Sequence, residues 1–191
     1  MKYTIKFRIW HWLNAIVVSG LLGTVFLRKT FLSWRTNSEI LMTKLSEMQV
    51  TITAEQAKIL AKAVRAVMWE WHIILGYALA FLIIYRIVLF FNDSSQRESF
   101  ESLNLHKKAV KISYYVFYAT LLFMATSGLT IHFHQELNIS KDFAESIKEI
   151  HEFVFNAIMI FAPLHIAGVI VAELKDENGL VSTMINGKKA P

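Results

Sequence analysis

The sequence contains no cysteine among its 191 residues. Disulfides, iron–sulfur clusters, thiolate metal ligands and the C-x-x-C-H attachment of c-type haem are therefore excluded. Internal repeats and low-complexity tracts are absent as well. A redox centre in this chain would have to rely on histidine, of which there are seven.

Charged residues are nearly absent from four long apolar stretches. Hydrophobic residues make up 54% of the chain and the mean hydropathy is +0.40, which is too apolar for an ordinary soluble domain. Each stretch approaches or exceeds the roughly 20 residues that cross a bilayer. We therefore predict membrane spans at residues 11–27, 72–91, 112–131 and 150–172.

The net positive charge lies mainly beside these stretches. A formal charge of +5 and a pI near 9.4 would suggest nucleic-acid binding in a soluble protein, but here the pattern is that of membrane-flanking charge. Lipid is an expected partner and nucleic acid is not. Lys and Arg are slightly more numerous on the side that holds both termini, which predicts cytoplasmic termini.

The four spans predict an all-α fold, an integral membrane four-helix bundle that forms one domain over residues 1–191. The basic start is not followed by a small-residue A-x-A cleavage site, so we expect the first span to be retained. The tail after residue 173 is expected to be a polar extension.

The connection between the first two spans, residues 28–71, has its own helical pattern. Thr53 and Gln56 have the spacing of a capping box, and apolar residues then recur at helical intervals. This pattern predicts an amphipathic helix that leads straight into the second span. A second short helix is predicted over residues 38–48.

The last span carries two histidines, His151 and His165, fourteen residues apart. Ionisable side chains inside a bilayer are costly, so such residues are by default functional candidates. Fourteen residues of α-helix advance roughly 21 Å and end about 40° short of four full turns. Both rings therefore lie on one face at two depths, which predicts two stacked sites.

The alternating direction of the spans identifies partners for both histidines. His72 begins the second span on the side where the fourth span enters, so it is expected near the depth of His151. His11 begins the first span on the opposite side, near the depth of His165. The predicted pairs are therefore His72 with His151 and His11 with His165.

Two imidazoles that face each other suit haem b, because electron-transfer haems take an axial ligand on each face of the iron. Two histidines without cysteine or carboxylate would complete no zinc site. Gly76 and Gly168 would let a flat macrocycle approach the backbone. Four cationic residues are predicted as candidate partners of the haem propionates: Arg8, Arg86, and Lys107 or Lys108.

Several neighbouring residues have more than one interpretation. Arg86 either snorkels to the surface or pairs with a propionate. Pro163 either aims the His165 ring or is simply tolerated in a membrane helix. His106, His132 and His134 are expected at the membrane surface, and for His106 a quinone or propionate contact stays open. Trp10, Trp12, Trp69 and Trp71 are expected to form an interfacial aromatic belt.

The stretches "RIWHWLNA" (8–15), "WEWHIILGYALAFLIIYRI" (69–87) and "LHKKAVKISYYVFYATLLFMATSGL" (105–129), with the last two histidines, resemble the di-haem cytochrome b family. This family includes the b-type subunits of nickel-iron hydrogenases, the gamma subunit of formate dehydrogenase and bacterial cytochrome b561. The tail "ENGLVSTMINGKK" (177–189) is similar to the end of the hydrogenase type. The connection at residues 28–71 is longer than in the simplest members.

The resemblance implies two b haems that carry electrons across the bacterial inner membrane between a periplasmic partner and the quinone pool of a respiratory chain. The partner would be a redox protein or a dehydrogenase or hydrogenase subunit. One alternative is a stand-alone superoxide:quinone oxidoreductase, and another is a haem-free transporter or scaffold whose histidines relay protons. Whether the chain is an enzyme by itself, and whether it forms a homodimer, stays open.

Overall fold

A computed structural model of the chain describes residues 3–92, 103–175 and 179–188. These residues form helices joined by short connections, and no strand occurs among them, so the all-α prediction is confirmed. The helices are α1 (Ile5–Lys29), α2 (Trp34–Glu47), α3 (Ala54–Asn92), α4 (Leu105–His132), α5 (Lys141–Lys175) and α6 (Leu180–Asn186).

Four of the helices, α1, α3, α4 and α5, are long and apolar enough to cross a membrane. Each contains one of the predicted spans. Many of their apolar side chains point away from the protein: Phe81 is 68% exposed and Phe153 is 76% exposed. Apolar surface of this extent is stable against lipid rather than water. The fold is that of a multi-pass membrane protein.

The connection after α1 contains the two predicted helices. The Thr53 amide donates to Gln56 Oε1 at 2.8 Å and the Gln56 amide donates to Thr53 Oγ1 at 3.2 Å, which is a reciprocal capping box. From this cap α3 continues without a break to Asn92. Helix α2 begins at Trp34, four residues before the predicted start, and Lys58 and Lys62 of α3 lie over the Trp34 ring.

The contacts divide the chain into two compact units, one of residues 1–15 and 77–191 and the other of residues 16–76. The single-domain organisation therefore stays a prediction. In the first unit, α4 and α6 both pack against α5. The second unit contains the later part of α1, all of α2 and the first part of α3.

Trp10 departs from the expected aromatic belt. Its side chain is only 3% exposed, its indole Nε1 donates to the Leu82 carbonyl at 2.8 Å, and its ring meets the edge of Tyr118. The belt interpretation was wrong for this residue because consecutive residues on a helix point about 100° apart. Trp12 is 44% exposed on the neighbouring face.

The tail after α5 contains a short helix that the sequence analysis did not predict. Helix α6 lies between Gly179 and Gly187, which have φ angles of 86° and 81°. Both φ values fall in the left-handed region, which glycine adopts without a steric penalty. The two glycines therefore bound a short helix within the predicted extension.

The ends of α6 are held by charged residues of two other helices. The Glu173 carboxylate of α5 accepts the amides of Gly179 at 2.8 Å and Val181 at 2.9 Å. At the other end, Arg8 Nε and Nη2 donate to the carbonyls of Met184 at 3.3 Å and Ile185 at 2.7 Å. An acid at the start and a base at the end satisfy the unpaired backbone groups of a helix.

Candidate haem sites

His11 of α1 and His165 of α5 lie close to each other within the first unit. Their ring centroids are 6.3 Å apart and their planes are inclined by 56°. A metal–imidazole bond is about 2 Å long and the ring centroid lies about 1.2 Å behind the nitrogen, so two axial imidazoles on one metal have centroids about 6.4 Å apart. The structure thus brings this pair together at the separation that a shared metal requires.

The His165 ring is held in place by aromatic side chains. It stacks parallel to Phe161, one turn earlier on α5, at 5.9 Å between centroids, and the edge contact with Tyr114 of α4 is at 6.0 Å. Phe161 in turn stacks on Phe117 at 4.0 Å. Pro163 lies inside α5 between the two stacked residues. Such packing fixes the ring orientation, which a metal ligand needs.

His11 and Asn14 carry unsatisfied polar atoms. Within the described residues, the buried His11 Nδ1 and Asn14 Oδ1 have no hydrogen-bond partner. Asn14 lies three residues after His11, on the same side of α1. Unsatisfied buried polar atoms are rare in folded proteins and call for an explanation, such as a functional role or a bound group.

His72 of α3 has a hydroxyl partner on α1. Its Nδ1 lies 2.7 Å from Thr24 Oγ1, and the Thr24 hydroxyl donates to the Leu21 carbonyl at 2.7 Å. Because a hydroxyl has a single proton, we assign the proton of the ring to Nδ1, which donates to Thr24. This tautomer leaves Nε2 unprotonated, as a metal ligand requires. Trp69 stacks on the same ring at 4.9 Å.

His151 of α5 has the same arrangement with α4. Its Nδ1 lies 2.8 Å from Ser127 Oγ, and Ser127 Oγ donates to the Phe123 carbonyl at 2.6 Å. The His151 proton is therefore assigned to Nδ1 as well. Gly128 follows Ser127 on α4, and a Cβ atom at this position would lie 3.4 Å from His151 Cε1. Glycine therefore lets α4 approach the His151 ring closely.

The sequence analysis did not identify Thr24 or Ser127. Each is visible as a hydroxyl residue in an apolar helix, but the histidine it meets lies 48 or 24 residues away in the chain. Hydroxyls in such helices most often bond their own backbone, so the sequence pattern alone gives no signal of a second partner.

His72 and His151 belong to different units of the chain, and their pairing stays a prediction. The two predicted small residues have room beside them. A Cβ atom at Gly76 or Gly168 would meet no described atom within 4 Å outside its own helix backbone and chain neighbours. The backbone at both positions is therefore open to a flat group.

Arg86 lies among aromatic rings. Its guanidinium carbon is 5.1 Å from the centroid of Phe7, 5.4 Å from that of Trp10 and 5.1 Å from that of Tyr118. These distances are those of cation–π interactions. The buried Arg86 Nε has no hydrogen-bond partner among the described residues. A nearby carboxylate would complete this site, so the predicted role toward a haem propionate stays a prediction.

Arg8 has a structural role that the sequence did not reveal. Its Nε and Nη2 bond the last carbonyls of α6, as described above, and its contact with a propionate stays a prediction. Among the other histidines, His106 and His132 are exposed and His134 bonds the nearby Ile131 carbonyl at 3.0 Å. These positions agree with a location at the membrane surface.

In the part of the chain that the structure describes, no group of three or more His, Cys, Asp or Glu residues could hold a metal ion. A haem iron already has four nitrogen ligands from the porphyrin, and two histidines complete its axial positions. The fold thus defines a class, the multi-pass helical membrane proteins, and His11 and His165 lie where they could hold a metal cofactor between them.

A family model described as prokaryotic cytochrome b561 matches residues 2–187. The chain therefore belongs to the prokaryotic cytochrome b561 family, and membership implies membrane electron transfer through b-type haem. Comparison with curated proteins and with solved structures gives no significant match.

Proposed function

We propose that the chain binds two b haems, one between His11 and His165 and one between His72 and His151. The haems carry electrons across the bacterial inner membrane between a periplasmic redox partner and the quinone pool. The observation that carries this proposal is the 6.3 Å separation of the His11 and His165 rings, which suits two axial ligands of one iron.

When bound, the haems supply one-electron chemistry at iron. His11 and His165 would hold one haem and His72 and His151 the other, and two imidazole ligands to each iron would suit electron transfer rather than binding of oxygen or substrate. Because His151 and His165 lie fourteen residues apart on one helix, their sites are separated by roughly 21 Å along α5. Two sites at this spacing divide the membrane crossing into shorter electron-transfer steps.

Cationic and aromatic residues would hold the first haem. Arg86 is the strongest candidate for a propionate partner, because its buried Nε has no hydrogen-bond partner among the residues described and a charge-assisted bond would satisfy it. Phe161 and Tyr114 pack on His165. Apolar packing beside an iron ligand lowers the local dielectric constant, which is one of the ways a protein tunes a haem potential.

The partners proposed are a quinone near the His11 site and a periplasmic dehydrogenase or hydrogenase subunit, or another redox protein, near the His72 site. The similarity of the tail to the hydrogenase type supports this choice. The long connection that contains α2 is the region in which the chain differs from simple relatives, and we assign partner contacts to it.

The alternative of a superoxide:quinone oxidoreductase is less well supported. Glu145, Lys148, Glu149 and Glu152 line one surface depression on α5 beside His151. Three acidic groups against one basic group disfavour the approach of an anion such as superoxide. The haem-free transporter would be detected by the experiment below.

The test is a reduced-minus-oxidised absorption spectrum of the detergent-purified protein, with the haem content measured by pyridine haemochrome. We expect two b haems per chain. His151→Ala and His165→Ala should each remove one haem, and a different one, whereas the control His106→Phe should retain both. A colourless protein would favour the transporter or scaffold, and loss of the same haem in both variants would contradict the pairing.

A further inference from the structure

Two of the four proposed haem ligands share a hydroxyl partner at Nδ1. Each histidine has its own hydroxyl: His72 contacts Thr24 of α1 and His151 contacts Ser127 of α4. Both hydroxyl residues are buried, with 8% and 5% exposure, and each donates its own proton to a carbonyl of its helix. Each hydroxyl is therefore an acceptor toward the histidine.

The other proposed pair differs in this respect. His11 Nδ1 is buried and has no hydrogen-bond partner within the described residues. The surroundings of His165 are aromatic, with Phe161 on one face and Tyr114 at its edge. His11 therefore differs from His72 and His151 in the hydrogen bond of its second nitrogen, which is one feature that sets the electron density of an imidazole ligand.

We propose that Thr24 and Ser127 are positioning residues that hold His72 and His151 as Nδ1–H tautomers. In doing so they lower the reduction potential of the haem that the two histidines ligate. This inference rests on the proposed function. An imidazole that donates from Nδ1 is a more basic ligand at Nε2. A more basic ligand stabilises ferric iron over ferrous iron, so the potential falls.

A purely structural role for the hydroxyls predicts a different result. In that case each hydroxyl would only satisfy a buried N–H group, and its removal would weaken folding or haem retention without changing the potential. The two roles are therefore separated by potentiometry on variants that still bind haem.

The experiment is a redox titration of the purified holoprotein, followed through the α-band absorption, for Thr24→Val and Ser127→Ala. To assign the signal, each substitution is also made in the His165→Ala background, which retains only the His72 and His151 haem. We expect the midpoint potential of that haem to rise in both variants, while the potential of the other haem stays unchanged. Thr24→Ser and Ser127→Thr should keep the parent value.

Two matched controls remove hydroxyls that bond only their own backbone. Thr126 Oγ1 donates to the Leu122 carbonyl at 2.9 Å, and Thr30 Oγ1 donates to the Phe26 carbonyl at 2.8 Å. Thr126→Ala and Thr30→Val should leave both potentials unchanged.

The outcomes separate this inference from the proposed function. A parent protein without haem would overturn both. Two haems with unchanged potentials in Thr24→Val and Ser127→Ala, or a shift confined to the other haem, would overturn this inference alone. Thr24 and Ser127 contact different ligands of the same proposed haem. If one of the two variants loses this haem, the potential of the other variant still tests the inference.

Discussion

At the scale of single residues, the membrane interior makes the surroundings of each polar group decisive. Four histidines and one arginine are placed in apolar helices, and three of the histidines and the arginine have neighbours that suit a defined role. Thr24 and Ser127 orient two rings, aromatic packing orients a third, and three aromatic rings surround the Arg86 guanidinium. A buried polar group without such neighbours costs free energy, so these contacts are part of why the helices can carry the residues at all.

Arg86 gives a prediction at this scale. Replacing it with Met keeps most of the side-chain volume but removes the charge, so the haem at His11 and His165 should lose a stabilising interaction with its reduced form. The attraction between the guanidinium and the added electron of the reduced haem grows as their distance and the effective dielectric constant fall. The midpoint potential of that haem should therefore fall, which a redox titration of the His151→Ala background measures.

The control for this prediction is Arg86→Lys, which keeps the charge and should retain most of the parent potential. Lysine lacks the planar group that stacks on the three rings, so a small change in stability is expected without a large change in potential. An unchanged midpoint potential in Arg86→Met would show that the Arg86 charge does not stabilise the reduced haem.

At the scale of helices, the sequence predicts what depends on local pattern and misses what depends on contacts between distant residues. The capping box at Thr53 and Gln56 and the four long helices follow from spacing and hydropathy. Helix α6 does not, because its ends are satisfied by Glu173 and by Arg8, which lies 176 residues from its bonded carbonyl at Met184. Seven residues are too few for a helix to be stable from propensity alone.

The glycines at the ends of α6 give a prediction at this scale. Gly179→Ala and Gly187→Ala place a Cβ at a positive φ angle, which costs roughly 1–2 kcal/mol per residue. We expect α6 to open more often in each variant, and hydrogen exchange of the amides of residues 183–186 to become faster. The control Gly23→Ala lies inside α1, where a Cβ would meet no described atom within 4 Å outside its own helix backbone and chain neighbours, so it should not affect α6.

Equal exchange rates in the parent and in both α6 variants would contradict the role of the two glycines. The opening of α6 that faster exchange reports would also break the hydrogen bonds from Arg8 to the α6 carbonyls. Because Arg8 and Trp12 of α1 both bond the Met184 carbonyl on either side of His11, the same variants test whether α6 steadies this end of α1.

At the scale of the whole molecule, the histidine spacing predicted two sites. The chemical difference between the two predicted sites could be seen only in the structure. The sequence showed which histidines share a depth. It could not show that His72 and His151 donate from Nδ1 to hydroxyls, or that the buried His11 Nδ1 has no hydrogen-bond partner in the described part of the chain. Nor could it show that Arg86 packs over Trp10, the residue before His11. With the proposed haems bound, these differences would shift the two reduction potentials in opposite directions.

The resulting prediction is an order of reduction. In the proposed arrangement, basic ligands lower the potential of the haem held by His72 and His151, and a nearby cation raises that of the haem held by His11 and His165. In a stepwise reductive titration the haem with the higher potential, that of His11 and His165, should therefore be reduced first. The single-haem variants His165→Ala and His151→Ala identify which midpoint belongs to which site, and the reverse order would contradict the prediction. If the order holds, electron transfer from the His72 and His151 haem to the other is downhill, which suits delivery of electrons from a periplasmic donor to quinone on the side of the termini.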